Sequence, residues 1–172
     1  MAIYQLGDLV PTIDPSAYIH PQAVIIGDVT IGPETSVWPC TVLRGDFGTV
    51  TIGARTSVQD GSVVHAGPNL PTKVGDGCVI GHLAHIEGCT LEDHTLVGSG
   101  ATVLHLAVVE TGAVVGANAL VPNGMVVPAG SMALGVPAVA RPGKGSMALI
   151  NISADAYVDM GQRFGHELVR ID

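Results

Sequence analysis

Aromatic and basic residues are scarce in this sequence, and each shortage excludes a class of protein. Aromatic residues make up only 3% of a chain that is 47% hydrophobic. A core of Val, Ile, Ala and Gly favours many short strands over ordinary helical packing. Only 7 basic residues stand against 15 acidic ones, which gives a net charge of -8 without any run of Lys or Arg. Nucleic acids and anionic membrane surfaces are therefore not expected as partners.

Long apolar runs, targeting signals and cysteine pairs are also lacking. The start, MAIYQLGDLVPTIDP, has no basic region before an apolar run, so we expect no signal peptide. Gly, Pro or a charge interrupts every apolar stretch, so we expect no membrane-spanning helix. The 3 cysteines cannot all pair, which favours reduced thiols and a cytoplasmic location. We interpret Cys78 and Cys89 as core fillers rather than soft metal ligands.

The sequence does contain a six-residue repeat. An aliphatic residue opens each unit, a small residue usually stands four positions later, and Gly or Pro commonly follows the aliphatic. The aliphatic positions are Ile13, Ile19, Ile25, Ile31, Val37, Leu43, Ile52, Val58, Val64, Val74, Ile80, Ile86, Leu91, Val97, Val103, Val109, Val115, Val121 and Val127. This pattern fits a short strand plus a turn, and three such units would close one triangular coil. Stacked coils would bury a continuous core, which predicts an all-β solenoid.

Two breaks and a change of period divide the chain. Residues 44–50 and 66–73 interrupt the count of six, so we predict that both leave the coil as loops. The repeat is expected over 1–134, and 135–172 should form an exit turn and a C-terminal α-helix of the same domain. In that helix Ser153 is the predicted cap. The predicted apolar stripe is Tyr157, Met160, Phe164, Leu168 and Ile171.

Counting by three hexads predicts which polar residues meet. Positions three hexads apart should stack at about 4.8 Å, which is the spacing between paired strands. Leu43, Val64 and Ile86 then share one face. The outward residues that follow them are Arg44, His65 and Glu87.

The same count stacks Val58 under Ile80 and predicts a second polar corner. Asp60 and His82 meet there, with Gln59 beside them. The two corners are too far apart to share an ion within one chain, but a threefold trimer would bring them together. Imidazole is the usual ligand of zinc and similar ions, so we predict a metal site between subunits.

The polar segments resemble a known family. They are RGD at 44–46, VQDGSVVH at 58–65, IGH at 80–82 with GC at 88–89, and the exit LGVPA. Together they are similar to gamma-class carbonic anhydrases, which are hexapeptide-repeat proteins. The resemblance implies a left-handed parallel β-helix and a homotrimer with zinc, iron or cobalt between its subunits. It also implies reversible hydration of carbon dioxide by metal-bound hydroxide.

The resemblance also implies roles for individual residues. His65 and His82 would be metal ligands, and Gln59 would lie near the metal-bound water. Arg44, Asp46 and Asp60 would hold the interface between subunits.

Two departures from the family pattern stand out. Glu87 occupies the position of the family's third histidine, so either Glu87 is the third ligand or His85, two residues earlier, replaces it. We favour His85 because three neutral ligands would then be kept. Some family members carry a glutamate proton shuttle in the loop after the first ligand, whereas residues 66–73 contain no acid.

Two other functions fit the same repeat. The solenoid also serves acyltransferases and thioesterases that use one histidine base and a coenzyme A groove, for which His94 or His105 would be the candidate. The chain could instead be a non-catalytic metal-binding trimer, which the altered third ligand favours.

Overall fold

Aliphatic residues three hexads apart pair in register along the computed structural model, which describes residues 2–172. Face 1 is the column Ile25, Leu43, Val64, Ile86, Val103 and Val121. Face 2 is the column Ile13, Ile31, Ile52, Val74, Leu91, Val109 and Val127. Face 3 is the column Ile19, Val37, Val58, Ile80, Val97, Val115 and Ala133. These faces enclose a parallel β-solenoid of about seven turns with a C-terminal helix, so the predicted fold class is confirmed.

The strands are short except where one runs through a corner. The first ten are β1 (Ala2–Tyr4), β2 (Thr12–Ile13), β3 (Tyr18–Ile19), β4 (Val24–Ile31), β5 (Ser36–Val37), β6 (Val42–Ile52), β7 (Ser57–Val58), β8 (Val63–His65), β9 (Thr72–Val74) and β10 (Val79–Ile80). The rest are β11 (His85–Glu87), β12 (Thr90–Leu91), β13 (Leu96–Val97), β14 (Thr102–Val103), β15 (Val108–Val109), β16 (Val114–Val115), β17 (Leu120–Val121), β18 (Val126–Val127), β19 (Met132–Leu134) and β20 (Val139–Arg141). Strand β20 folds back antiparallel on β19 and ends the stack.

The small residues inside the corners tie each coil to the next. Thr35 Oγ1 donates a hydrogen bond of 2.6 Å to the carbonyl of Gly53, and Ser62 Oγ donates one of 2.8 Å to the carbonyl of Gly81. An unpaired buried hydroxyl would cost about 1–3 kcal/mol. These side chains can therefore be polar inside an otherwise aliphatic core.

The first predicted loop is part of a strand in the structure, and the second is shorter than predicted. Residues 44–50 lie within β6, because Gly45 pairs with Gly27 and Val50 pairs with Val29 while the chain stays extended. The insertion is absorbed by a register shift in which residues 46–49 stand opposite Asp28. The second loop covers 66–71 and ends where β9 begins. The domain division at residue 134 stays a prediction.

The helix α1 spans Met147–Glu167 and begins earlier than predicted. Ser146 is the N-cap, and its Oγ accepts a hydrogen bond of 3.3 Å from the Leu149 amide. The prediction of Ser153 as cap is wrong, because Ser153 lies inside the helix and its hydroxyl donates to the Leu149 carbonyl at 2.8 Å. Among residues 2–172, no helix has the length and apolarity needed to cross a membrane.

The buried stripe of α1 also differs from the predicted one. Its buried residues are Ile150, Ala154, Val158 and Gly161. Small residues on this face let the helix approach the sheet closely. Of the predicted stripe, Tyr157 and Phe164 pack as expected, whereas Met160, Leu168 and Ile171 are exposed. Leu168 and Ile171 follow the last helical residue, so helical spacing no longer applies to them.

Most of the few aromatic side chains form one cluster that fastens α1 to face 3. The Trp38 ring lies 5.1 Å from Phe164, 5.5 Å from Tyr157 and 5.6 Å from Tyr18, centroid to centroid, in edge-on or tilted contacts. Such aromatic pairs contribute about 0.5–1.5 kcal/mol beyond area burial. The indole N–H of Trp38 is shared between the hydroxyls of two serines on face 3.

Two glycines of α1 give a matched test of this packing. Gly165→Ala should raise the free energy of unfolding by about 0.5–1 kcal/mol, because alanine is the better helix former and the added Cβ meets only Tyr18 Cδ2 at 3.9 Å. Gly161→Ala should lack this gain or destabilise, because its Cβ would lie 3.3 Å from the Cβ atoms of Ser36 and Tyr18. Urea unfolding at fixed protein concentration measures both, and equal gains would contradict the close approach.

Thiol reactivity tests the burial of the core cysteines. Cys78 and Cys89 are 0% and 2% exposed, and burial raises the pKa of Cys78 and that of Cys89, the latter to about 12. Both thiols therefore stay protonated at about pH 8. A protonated thiol does not attack a disulfide, because the thiolate is the nucleophile. In a Cys40→Ser variant, which removes the exposed thiol, we expect no fast reaction with a chromogenic disulfide until the protein is unfolded. A thiol that reacts quickly in the folded variant would contradict this assignment.

Candidate metal centre

The first predicted corner forms at the end of face 1. Strand pairing places Arg44 opposite His65 and His65 opposite Glu87 on three consecutive coils. Each follows an inward aliphatic residue, so its side chain points outward. The hexad count therefore predicted this neighbourhood correctly.

His65 is the centre of this corner, and both of its ring nitrogens face carboxylates. Nε2 lies 2.8 Å from Asp46 Oδ1 and Nδ1 lies 2.9 Å from Glu87 Oε1. The His65 side chain is only 12% exposed. Arg44 forms an ion pair with the other oxygen of Asp46. Burial raises the pKa of Asp46, but hydrogen bonds from His65 and Arg44 outweigh it, so the pKa lies below its usual value.

The glycine between Arg44 and Asp46 is required by a close backbone approach. A Cβ on Gly45 would overlap the carbonyl of Asp28 on the adjacent coil. This approach occurs at the register shift, where Thr49 Oγ1 also donates a hydrogen bond of 2.6 Å to Asp28. The shift thus presents Asp46 to His65 from the neighbouring coil.

Three histidines surround Glu87. Its Oε1 faces His65 and lies 3.5 Å from His105 Nε2, while its Oε2 lies 3.0 Å from His85 Nε2. Burial raises the pKa of Glu87, but hydrogen bonds to His65, His85 and His105 outweigh burial and lower the pKa to about 2. Glu87 is therefore an ionised carboxylate at neutral pH.

Sequence reasoning missed His105 as a neighbour of this corner. It considered His105 only as a base for acyl transfer, yet the pairing of Ile86 with Val103 brings His105 onto the next coil beside Gly88. Counting one further coil would have placed His105 over Gly88, next to Glu87, but would not have given its contact with the carboxylate. The other histidine of that hypothesis, His94, lies apart from this corner in a cavity that α1 helps to line.

The second predicted corner forms where face 3 ends. Val58 pairs with Ile80, and Asp60 Oδ2 lies 2.9 Å from His82 Nδ1. The His82 side chain is 49% exposed, and its Nε2 makes no hydrogen bond among residues 2–172. Gln59 is 5% exposed, and its side-chain amide makes no hydrogen bond within residues 2–172.

The two corners lie at opposite edges of face 1. Asp60 precedes strand β8, and His65 ends it. Among residues 2–172, no three His, Cys, Asp or Glu side chains of one chain form a group that could hold an ion. The donor set nevertheless fits a divalent cation, because imidazole and carboxylate are its usual protein ligands and each histidine already has a carboxylate partner.

The outward surface of face 1 differs from those of the other faces. Its outward row is Val24, Val42, Val63, His85, Thr102 and Leu120, all half-buried. The row on face 2 begins Thr12, Thr30, Thr51, Lys73 and Thr90. Face 3 is covered by α1. Face 1 is thus the uncovered face with the more apolar row, and it lies between the two histidine corners.

Comparison with known proteins agrees with this architecture. Residues 11–45 and 71–105 match the family model described as bacterial transferase hexapeptide (six repeats). The chain is 36% identical over 138 residues to the carnitine operon protein CaiE of Proteus sp. (strain LE138), covering 80% of this chain and 70% of that protein. The crystal structure of a hexapeptide transferase family protein from Anaplasma phagocytophilum matches with a TM-score of 0.90 at 32% identity, covering 95% of this chain and 98% of that one. The chain belongs to the hexapeptide-repeat family.

Within this family the sequence is similar to gamma carbonic anhydrases. It is 42% identical over 168 residues to gamma carbonic anhydrase 1, mitochondrial, from Arabidopsis thaliana, which covers 93% of this chain. The match spans 61% of that relative's own length. The resemblance identified from the motifs is thereby confirmed.

Proposed function

We propose that this hexapeptide-repeat protein is a gamma carbonic anhydrase-like metalloprotein that hydrates carbon dioxide reversibly at a site shared between subunits. The observation that carries the proposal is the placement of His65 and His82 at opposite edges of face 1. His82 Nδ1 faces the Asp60 carboxylate, and His65 Nε2 faces Asp46 while its Nδ1 is directed at Glu87. In metal sites such partners fix the tautomer and aim the other nitrogen at the ion.

A homotrimer would complete the site. Each copy has a His65 corner at one edge of face 1 and a His82 corner at the other. Contact between unlike edges of two copies would therefore bring the His65 corner of one copy against the His82 corner of the next. Such head-to-tail contacts close into a ring when the rotation allows, and the family resemblance implies three copies. The half-buried valines of face 1 support this surface as the contact, because outward positions of an exposed strand are usually polar.

The site would hold zinc, iron or cobalt between His65 of one copy and His82 of the next. When bound, such an ion supplies a nucleophile at neutral pH by lowering the pKa of water towards about 7. Gln59 is the group best placed to orient that nucleophile or the substrate, because its amide is otherwise unpaired and lies beside the His82 corner. Arg44 forms an ion pair with Asp46, and Asp46 in turn would hold the His65 imidazole in place through its contact with Nε2.

Acyl transfer is the main competing function, since the structure that matches with a TM-score of 0.90 is called a transferase. A coenzyme A site needs cations for its phosphates. Arg44 and Arg55 are paired with carboxylates, whereas Lys73, Arg141 and Lys144 form no ion pair among residues 2–172. A metal-binding trimer without catalysis is the other competitor, and the hydration assay below separates it. The cytoplasmic location stays a prediction.

Direct measurement of carbon dioxide hydration tests the proposal. We expect stopped-flow rates above buffer for protein loaded with zinc or, without oxygen, with ferrous iron. His82→Ala should reduce the rate to that of buffer and remove the metal, because it deletes an imidazole ligand without disturbing the core. His166→Ala, on the far exposed face of α1, is the matched control and should keep both. Buffer rates for both metal forms of the unmodified protein would refute hydration.

Asp60→Asn tests whether the carboxylate behind His82 matters. We expect a metal affinity about 10–100-fold lower, the usual effect of removing such a partner. Chelator competition measures the affinity, and Asp159→Asn on the exposed surface of α1 is the matched control. Equal affinities for both variants would mean that Asp60 does not orient the imidazole of a ligand.

A further inference from the structure

Glu87 stands where the sequence resemblance would place a third imidazole. The structure puts Glu87 in direct register with His65, and the two side chains point outward on adjacent coils. His65 Nδ1 and Glu87 Oε1 are 2.9 Å apart. Two ligands held at about 2.0–2.2 Å from one ion, at angles between a right angle and the tetrahedral angle, lie about 2.9–3.5 Å apart. The separation is that of a hydrogen bond, and it also lies within the spacing of neighbouring ligands, so an ion could take the place of the shared proton.

His85 is placed differently. Its Nε2 lies 3.0 Å from Glu87 Oε2, on the carboxylate oxygen that does not face His65. His105 approaches Glu87 as well, at 3.5 Å from Oε1. Both histidines therefore contact the carboxylate, while no hydrogen bond joins either to His65 among the residues described. This is the arrangement of partners that orient a ligand.

We propose that Glu87, and not His85, is the third protein ligand of the ion between subunits, and that His85 and His105 position its carboxylate. This inference rests on the proposed function and changes its ligand set to two imidazoles and one carboxylate. That set is one of the recognised arrangements for catalytic zinc and for ferrous iron with open positions. It also lowers the net charge at the ion by one compared with three imidazoles, which makes water at the site less acidic.

The donor set can be read by cobalt absorption, independently of activity. Co²⁺ is titrated into the metal-free trimer, and its visible spectrum and affinity are recorded for the unmodified protein and three variants. Glu87→Gln should weaken Co²⁺ binding by more than about 100-fold, whereas the matched amide change His85→Gln should weaken it by about 10–100-fold, as the loss of an orienting partner does. Glu87→His should bind Co²⁺ with a shifted spectrum, because nitrogen replaces oxygen at the ion. This variant also keeps the test valid if Glu87→Gln does not fold.

The outcomes separate this inference from the proposed function. Strong loss in His85→Gln with normal binding in Glu87→Gln would overturn the assignment of Glu87. An unchanged spectrum in Glu87→His would do the same, while the function at His65 and His82 would stand. A trimer of the unmodified protein that binds no Co²⁺ would overturn both.

Discussion

The register between stacked hexads is the constraint on which everything else depends. Parallel pairing of Leu43, Val64 and Ile86 fixes which outward residues become neighbours, and side chains alternate with a period of two. A slip of one residue would turn every outward residue into the core. Because both faces of each strand are thus specified, His65 meets carboxylates from the coils on either side of it. The core and the candidate site are consequences of one alignment.

The same reasoning explains what could be predicted from the sequence. The stacking of Asp60 with His82, and of Arg44, His65 and Glu87, followed from counting aliphatic residues, because each hexad contributes one strand position to one face. The start of α1 could not be found in this way. Ser153 is the predicted cap, whereas the helix begins after Ser146, because the position of the helix depends on how closely Gly161 approaches face 3, which is a tertiary effect.

The contacts around the third-ligand position were also beyond sequence reasoning. His85 and Glu87 share an outward side of β11, so alternation alone cannot rank them. The structure distinguishes them because Glu87 contacts His65 directly, whereas His85 contacts the other carboxylate oxygen of Glu87. The contact of His105 depends on a turn after Val103 whose course the hexad count does not give. The glutamate at this position is thus accompanied by histidines that suit a carboxylate, as the proposed ligand set requires.

The most direct test is an anomalous-scattering map from crystals of the metal-loaded protein. We expect a trimer with one strong peak at each contact between copies, bounded by His65 and Glu87 of one subunit and His82 of the next. A protein that crystallises and migrates as a single chain, or a trimer whose contacts show no peak after metal is supplied, would contradict this expectation.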